Sequence, residues 1–382
     1  MLRIILFFAL ILSGSTAFSR EPLPAEQVVY TPSAVNLPPQ SSGINIALVG
    51  DMMLGTNFPE NTLADDDGVS LLQSVAPFLR AADITFGNLE GVLLDEGEPA
   101  KSCHLPENCY LFRTPSHYVN YLSEAGFDVM SLANNHARDF GESGLSASMA
   151  TLASAGIRHS GQHGDIASWE VRGRRVALIA FAPFIGSHDM LDENKARELV
   201  HELSQAHDIV IVSVHAGAEG PEAMHLTFAK ELYHGEDRGN VDSFARAVID
   251  AGADLVVGHG PHVPRALHVY RGRMIAYSLG NFCTFWGISV DEVRGLAPIL
   301  TVELDGEGRF LEGQITSALQ VRPHGPVLDP EHGAARLMAR LTRIDFPDSS
   351  LLISAEGRVQ LKPSRVTEAA LPAPHNRASQ EF

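Results

Sequence analysis

Asp254-Leu255-Val256-Val257-Gly258-His259-Gly260-Pro261-His262-Val263 is the stretch on which the fold turns. Leu255 to Val257 read as a short buried strand, and a Gly/Pro loop carrying two imidazoles follows at once. The same arrangement recurs at four other places. Gly50-Asp51 follows an apolar run at 44–49, Asn88-Leu89-Glu90 follows 84–87, Asn134-Asn135-His136 follows 128–132, and His215-Ala216-Gly217 follows 209–214. In an open α/β sheet the C-terminal ends of strands converge on one crevice, so residues far apart in sequence meet there. One Asp, one Glu, an Asn and three or four His at one rim make an oxygen/nitrogen site. Such a donor set suits Mn²⁺, Fe or Zn²⁺ better than soft thiolate chemistry.

Outward from these segments the chain alternates strand and helix. Helical spacing is read at 69–82, 118–125, 145–155, 192–206 and 241–251, and a further strand at 176–182. Beyond about 265 the pattern changes to hairpins, one over 266–279 and another over 299–316, followed by an amphipathic helix at 332–343. Interleaved helices and strands followed by antiparallel strands suit two packed sheets with helices outside. The expected organisation is a principal domain over 44–320 and a C-terminal extension over 321–362 packing on it. A Pro/Ser/Gln-rich linker at 18–43 precedes the domain, and a disordered tail at 363–382 closes the chain.

The N-terminus reads as an export signal over 1–17: Arg3, an apolar run at 4–12, then Ser15-Thr16-Ala17 as a small-residue cleavage site. A periplasmic or extracellular location follows as an expectation, with membrane contact only through the signal or an uncleaved anchor. Lys and Arg number 28 against 46 Asp and Glu, a net charge of −18, which disfavours nucleic acid and anionic lipid as partners. Three cysteines fit an oxidising compartment. Cys103 and Cys109 bracket a short Pro-containing loop and can form a local disulfide, whereas Cys283 in an apolar run reads as a buried inert thiol.

Taken together, the ordered motifs resemble the CapA/PgsA family of poly-γ-glutamate capsule-synthesis proteins, which share the calcineurin-like metallophosphoesterase fold. The matching stretches are 49–55, Gly87-Asn88-Leu89-Glu90-Gly91, Ser131-Leu132-Ala133-Asn134-Asn135-His136 with Asp139-Phe140-Gly141, Val214-His215, 254–263, and Ala276-Tyr277-Ser278-Leu279-Gly280-Asn281-Phe282. They span roughly residues 45 to 320. The resemblance implies an α/β fold, a four-layer α-β-β-α sandwich with the site at one rim. It implies Asp51, Glu90, Asn135, His215, His259 and His262 as ligands of one or two divalent ions, and His136 as the imidazole that handles a proton. Two ions roughly 4 Å apart would clamp a phosphoryl oxygen and ionise a bound water, with His136 protonating the leaving oxygen. An anionic or phosphorylated substrate follows, together with partners among polymer synthase or export subunits.

The chain departs from the wider superfamily in two places. Met53 stands where a His usually follows the first Asp, and Asn88 with Glu90 stands where a bridging Asp is usual. Asn88 can replace Glu90 as ligand, and Asn134 can cap the loop while Asn135 binds, or the reverse. Asp139 can orient His136 or cap the following helix. Arg265 reads as an ordinary surface residue, and the 219–240 segment, with Glu222, His225, His234, Glu236 and Arg238, can reshape the pocket. Two functions follow: a metal-dependent hydrolase of phosphoester-type bonds, or a non-catalytic accessory subunit of a synthase that keeps the fold.

Overall fold

A computed structural model describes residues 43–101 and 109–363. Cys103, and with it the expected Cys103–Cys109 pairing, lies outside the described residues, as do the signal, most of the linker and the tail. Cys283 is free and fully buried, and burial pushes its thiol up to about 12.

The strands that carry the site are β1 (Ile44–Met53), β2 (Ile84–Leu89), β3 (Val129–Ser131), β4 (Arg174–Ala182), β5 (Ile209–His215), β6 (Leu255–His259) and β7 (Asn281–Thr284). The first sheet runs Leu351–Ile353, Arg358–Leu361, Phe310–Thr316, Ile299–Leu304, β1, β2, β3, Arg158–Ser160, with β7 parallel to β1. The second runs Leu267–Tyr270, Arg273–Ala276, β6, β5, β4, Ala167–Val171.

Strand alternation explains how the sheets stack, because successive side chains point to opposite faces. On β1, Ile46 and Leu48 join an inner core with Leu178, Ala180, Ile211 and Val257 of the facing sheet. Ala47 and Val49 point the other way, into a layer with α1 (Ala76–Leu79), α2 (Val119–Ala125) and α3 (Gly141–Ser154). On the second sheet Ile179, Val210, Val212 and Val256 pack against α4 (Glu193–Ala206) and α5 (Val241–Asp250). The result is helix, sheet, sheet, helix: the four-layer α-β-β-α sandwich. α6 (Gly333–Asp345) closes one end, giving Ala335 and Met338 to the inner core and Leu337 and Leu341 to the outer one.

The helical spacing at 69–82 yields only one regular turn, Ala76–Leu79. Pro77 is the reason: without an N–H it cannot bond the carbonyl of Gln73, and its ring would clash there. The residues before it instead make tight turns, with Leu71, Gln73 and Val75 each donating three residues back, to Gly68, Ser70 and Leu72.

One segment ties the sheets together at the rim. Residues 277–280 leave Arg273–Ala276 in the second sheet and enter β7 in the first. Asp51 N–H donates to the Gly280 carbonyl at 2.8 Å, and Leu279 N–H to the Gly258 carbonyl at 3.3 Å. The backbones come so close that a Cβ at Gly50 would sit 1.9 Å from the Gly280 oxygen, and one at Gly258 would sit 2.1 Å from the Tyr277 oxygen. Both positions therefore demand glycine, and each immediately precedes a candidate ligand, Asp51 or His259.

Candidate metal centre

Strand register brings the polar strand ends together. Asp51 stands opposite Asn88 on one side and Asn281 on the other; Asn88 stands opposite Ser131, and His215 opposite His259. Asp51, Asn88, Glu90, His215 and His259 are all fully buried. Asp51, Glu90 and His262 each offer one ligand atom within 4.8 Å of the others. His262 Nδ1 lies 3.1 Å from Asp51 Oδ2, its Nε2 lies 3.6 Å from Glu90 Oε1, and His259 Nδ1 lies 3.5 Å from Asp51 Oδ1.

The amides separate into two roles. Asn88 Nδ2 donates to Asp51 Oδ1 at 2.9 Å and lies 3.3 Å from His215 Nδ1, so it bridges the two sheets. Asn134 is saturated as a brace: Nδ2 donates to Asn88 Oδ1 and to the Leu89 carbonyl, and Oδ1 accepts from His136 N–H at 3.0 Å. Asn135 Oδ1, by contrast, is buried with no partner among the described residues. Of the two adjacent amides, Asn135 is the one with an oxygen to give.

His136 is fixed from three directions. Its Nδ1–H donates to Asp139 Oδ2 at 2.8 Å, which leaves Nε2 without a hydrogen-bond partner among the described residues. Phe112 packs over its ring at 4.3 Å between centroids. Phe112 N–H also donates to Asp139 Oδ2 at 2.8 Å, and Lys101 Nζ stands 3.3 Å from Asp139 Oδ1. Asp139 therefore orients His136; α3 starts after Phe140 with no side-chain cap. Lys101 has no motif that would have singled it out. Asn281 does lie in a quoted motif: its Oδ1 accepts from His262 Nδ1 at 2.9 Å, and its Nδ2 holds the carbonyls of Ser289 and Arg294.

Electrostatics follow from burial and neighbours. Burial pushes the Asp51 carboxyl up, but the His259 and His262 imidazoles outweigh it and hold it well below the usual carboxylate range. Burial, helped by Asp51 and Glu219, keeps Glu90 well above that range. His262 resists burial and rises to about 10 because Glu90, Asp51 and Glu219 surround it. Burial depresses His215 strongly and His136 as well, Asp139 offsetting part of the effect on His136.

The donor set fits a cation. Asp51 Oδ2, both Glu90 oxygens, Asn135 Oδ1, His215 Nε2 and both His259 nitrogens are buried without a hydrogen-bond partner among the described residues. Each orphaned polar atom costs about 1–3 kcal/mol, so a concentration of them at one rim calls for a common partner. Hard oxygens and imidazoles at one rim are a donor set suited to a divalent ion.

Two expectations change. Arg265 is not a surface residue: it is fully buried, with Nη1 and Nη2 at 3.1 and 2.7 Å from the two Glu231 oxygens and Nε donating to the Ala223 carbonyl. Of the 219–240 segment, His225 turns away to Asp345, whereas Glu219 and Arg238 reach the centre: Glu219 Oε2 lies 3.9 Å from His262 Nε2.

Residues 45–285 match the family described as bacterial capsule synthesis protein PGA_cap. The PGA biosynthesis protein CapA of Bacillus subtilis is 30% identical over 287 residues, covering 70% of this chain and 70% of that protein. A probable polyglutamine synthesis accessory protein of Mycobacterium tuberculosis is 30% identical over 249 residues, covering 56% of this chain and 57% of that one. Among solved structures, a 5'-nucleotidase precursor from Thermus thermophilus aligns with a TM-score of 0.41 at 15% identity, covering 79% of this chain and 59% of its own. The family match covers well over half of the sequence, and the chain belongs to the bacterial capsule synthesis protein PGA_cap family.

Proposed function

We propose that this chain is an exported metal-dependent hydrolase of phosphoester-type bonds, acting in the synthesis of poly-γ-glutamate or a related envelope polymer. The observation that carries the reading is the set of buried donor atoms on Asp51, Glu90, Asn135, His215 and His259 that have no partner among the described residues. Those residues and His262 would hold one or two divalent ions, Mn, Fe or Zn. When bound, such ions supply Lewis acidity and a nucleophile at neutral pH. The protein's own part is positional. Asn88 and Asn281 set the bearing of Asp51 and His262. His136 accepts and returns a proton at Nε2 while Asp139 steadies the charge from Nδ1. The export pattern at 1–17 supports an envelope location, and the relatives described for capsule and polyglutamine synthesis support the polymer context.

A second reading, a non-catalytic accessory subunit of a synthase, has its own support in Met53. This residue is buried with Phe112 and Ile288 in a small separate cluster, and its sulfur accepts from Gly55 N–H. It therefore offers no replacement for an imidazole beside Asp51.

Metal analysis of the purified protein, with turnover of a phosphodiester probe, separates the two. The hydrolase predicts near-stoichiometric Mn, Fe or Zn, turnover lost on chelation and restored by the ion, and a fall of roughly 10²–10⁴-fold in His136→Ala with metal retained. Protein that takes up no ion and turns nothing over with added Mn²⁺ or Zn²⁺ is the accessory subunit.

A further inference from the structure

The geometry points to Glu219 as a further carboxylate ligand of the metal centre, delivered by the 216–240 loop; this rests on the metal-site reading above. Its Oε2 lies 3.9 Å from His262 Nε2, the same nitrogen that faces Glu90 Oε1 at 3.6 Å. Two ligand atoms each about 2.1 Å from a shared ion stand roughly 3–4 Å apart in tetrahedral or octahedral sites. One imidazole nitrogen between two carboxylates at these spacings is the arrangement a bound cation would stabilise.

Glu219 is held for that position from both sides. The preceding residue, Ala218, donates its N–H to Glu231 Oε2 at 2.8 Å, and the following residue, Gly220, donates to the Pro261 carbonyl at 2.9 Å, directly on the loop that carries His262. Glu231 is itself locked to the buried Arg265. The carboxylate is then aimed by Arg238, whose Nη1 donates to Oε1 at 3.1 Å. Arg238 lies 5.0 Å from the Phe184 ring and 5.3 Å from the Tyr233 ring, with its side chain only 5% exposed.

A purely structural role, neutralising Arg238, does not account for this. Glu236 already meets Arg238 Nη2 at 3.0 Å, and Arg238 engages Oε1 of Glu219, not the oxygen nearest His262. Chemistry supplies the motive. Met53 gives no imidazole beside Asp51, and a loop carboxylate adds a hard donor that favours Mn²⁺ over Zn²⁺.

Calorimetric titration of Mn²⁺, and separately of Zn²⁺, into the metal-stripped full chain tests it. Glu219→Gln keeps the size of the side chain and an acceptor for Arg238. It is expected to weaken Mn²⁺ about 10–100-fold and Zn²⁺ by a smaller factor, with the melting temperature of the metal-free protein unchanged. Arg238→Met is expected to weaken Mn²⁺ in the same direction by less. Equal Mn²⁺ affinity in wild type and Glu219→Gln overturns the proposal. If Asp51→Asn in that series loses the ion while Glu219→Gln does not, the centre stands and Glu219 alone falls. Wild type that binds neither ion overturns both.

Discussion

The two sides of the centre share one geometry, polar residues at strand ends, and differ in chemistry and in support. The first sheet brings oxygens: Asp51, Asn88, Glu90, Asn134 and Asn135. The second brings nitrogens: His215 and His259 at strand ends and His262 on the loop after. The oxygen side is cross-braced, since Asn134 holds Asn88, the Leu89 carbonyl and the His136 backbone, and Asn88 holds Asp51. On the nitrogen side, among the described residues, His259 has no hydrogen-bond partner on either ring nitrogen and His215 hydrogen-bonds only with Asn88, while His262 is held by Asn281. The amides Asn88 and Asn134 are placed by the protein alone, whereas the atoms left without partners among the described residues, on Glu90 and Asn135 as on His259, await what they would bind.

The largest effect is expected where the two sides meet. Asp51 touches Asn88 at 2.9 Å, His262 at 3.1 Å and His259 at 3.5 Å. Asp51→Ala should bring bound metal down to background by elemental analysis and abolish phosphodiester turnover with it. Full metal occupancy in that variant would place the ion away from both sides of the rim.

A middle-sized effect separates bracing from binding within the oxygen side. Asn134→Ala strips three hydrogen bonds from a buried loop and should cost about 1–3 kcal/mol in urea unfolding of the metal-free protein. Asn135→Ala removes an oxygen with no partner among the described residues, so it should leave that stability within about 0.5 kcal/mol while weakening metal affinity. An exchange of these two outcomes would exchange the roles of the two amides.

Much of this was legible in the sequence, for physical reasons that differ from residue to residue. Long apolar runs such as 209–214 identify buried strands because no other conformation hides them so well, and polar residues just past them mark the rim. What escaped depends on contacts across the chain. Arg265 looks like a surface cation because nothing near it in sequence reveals Glu231, which lies 34 residues earlier and buries it. Lys101 belongs to no motif, and reaches Asp139 only through the fold. The crossing at 277–280 is hidden because an apolar run does not say which of two sheets it will join. Pro77, by contrast, was visible, and its missing N–H is what breaks the spacing at 69–82.

The smallest effect isolates burial from ligation among the imidazoles of the second sheet. His268 sits on that sheet in Leu267–Tyr270, stacked on Phe346 at 4.1 Å and 12°. Burial, with Arg246 adding to it against Asp242, depresses its ring to about 4. An unfolded His titrates near 6.5. Between those values the unfolded chain takes up a proton that the folded chain refuses. The contribution of His268 to stability is therefore fully present above about 6.5 and is lost as the pH falls toward 4. His268→Phe keeps an aromatic ring for the stack and removes the titration. The stability of wild type minus that of the variant should fall on acidification across this window, with a slope below one proton because part of the ring is in water. Metal content should be the same in both proteins. A stability difference that stays constant from pH 7 to pH 4 would mean that burial and Arg246 together do not depress this imidazole. The depression of His215, which stands on the same sheet and owes it first to burial, would then need another cause.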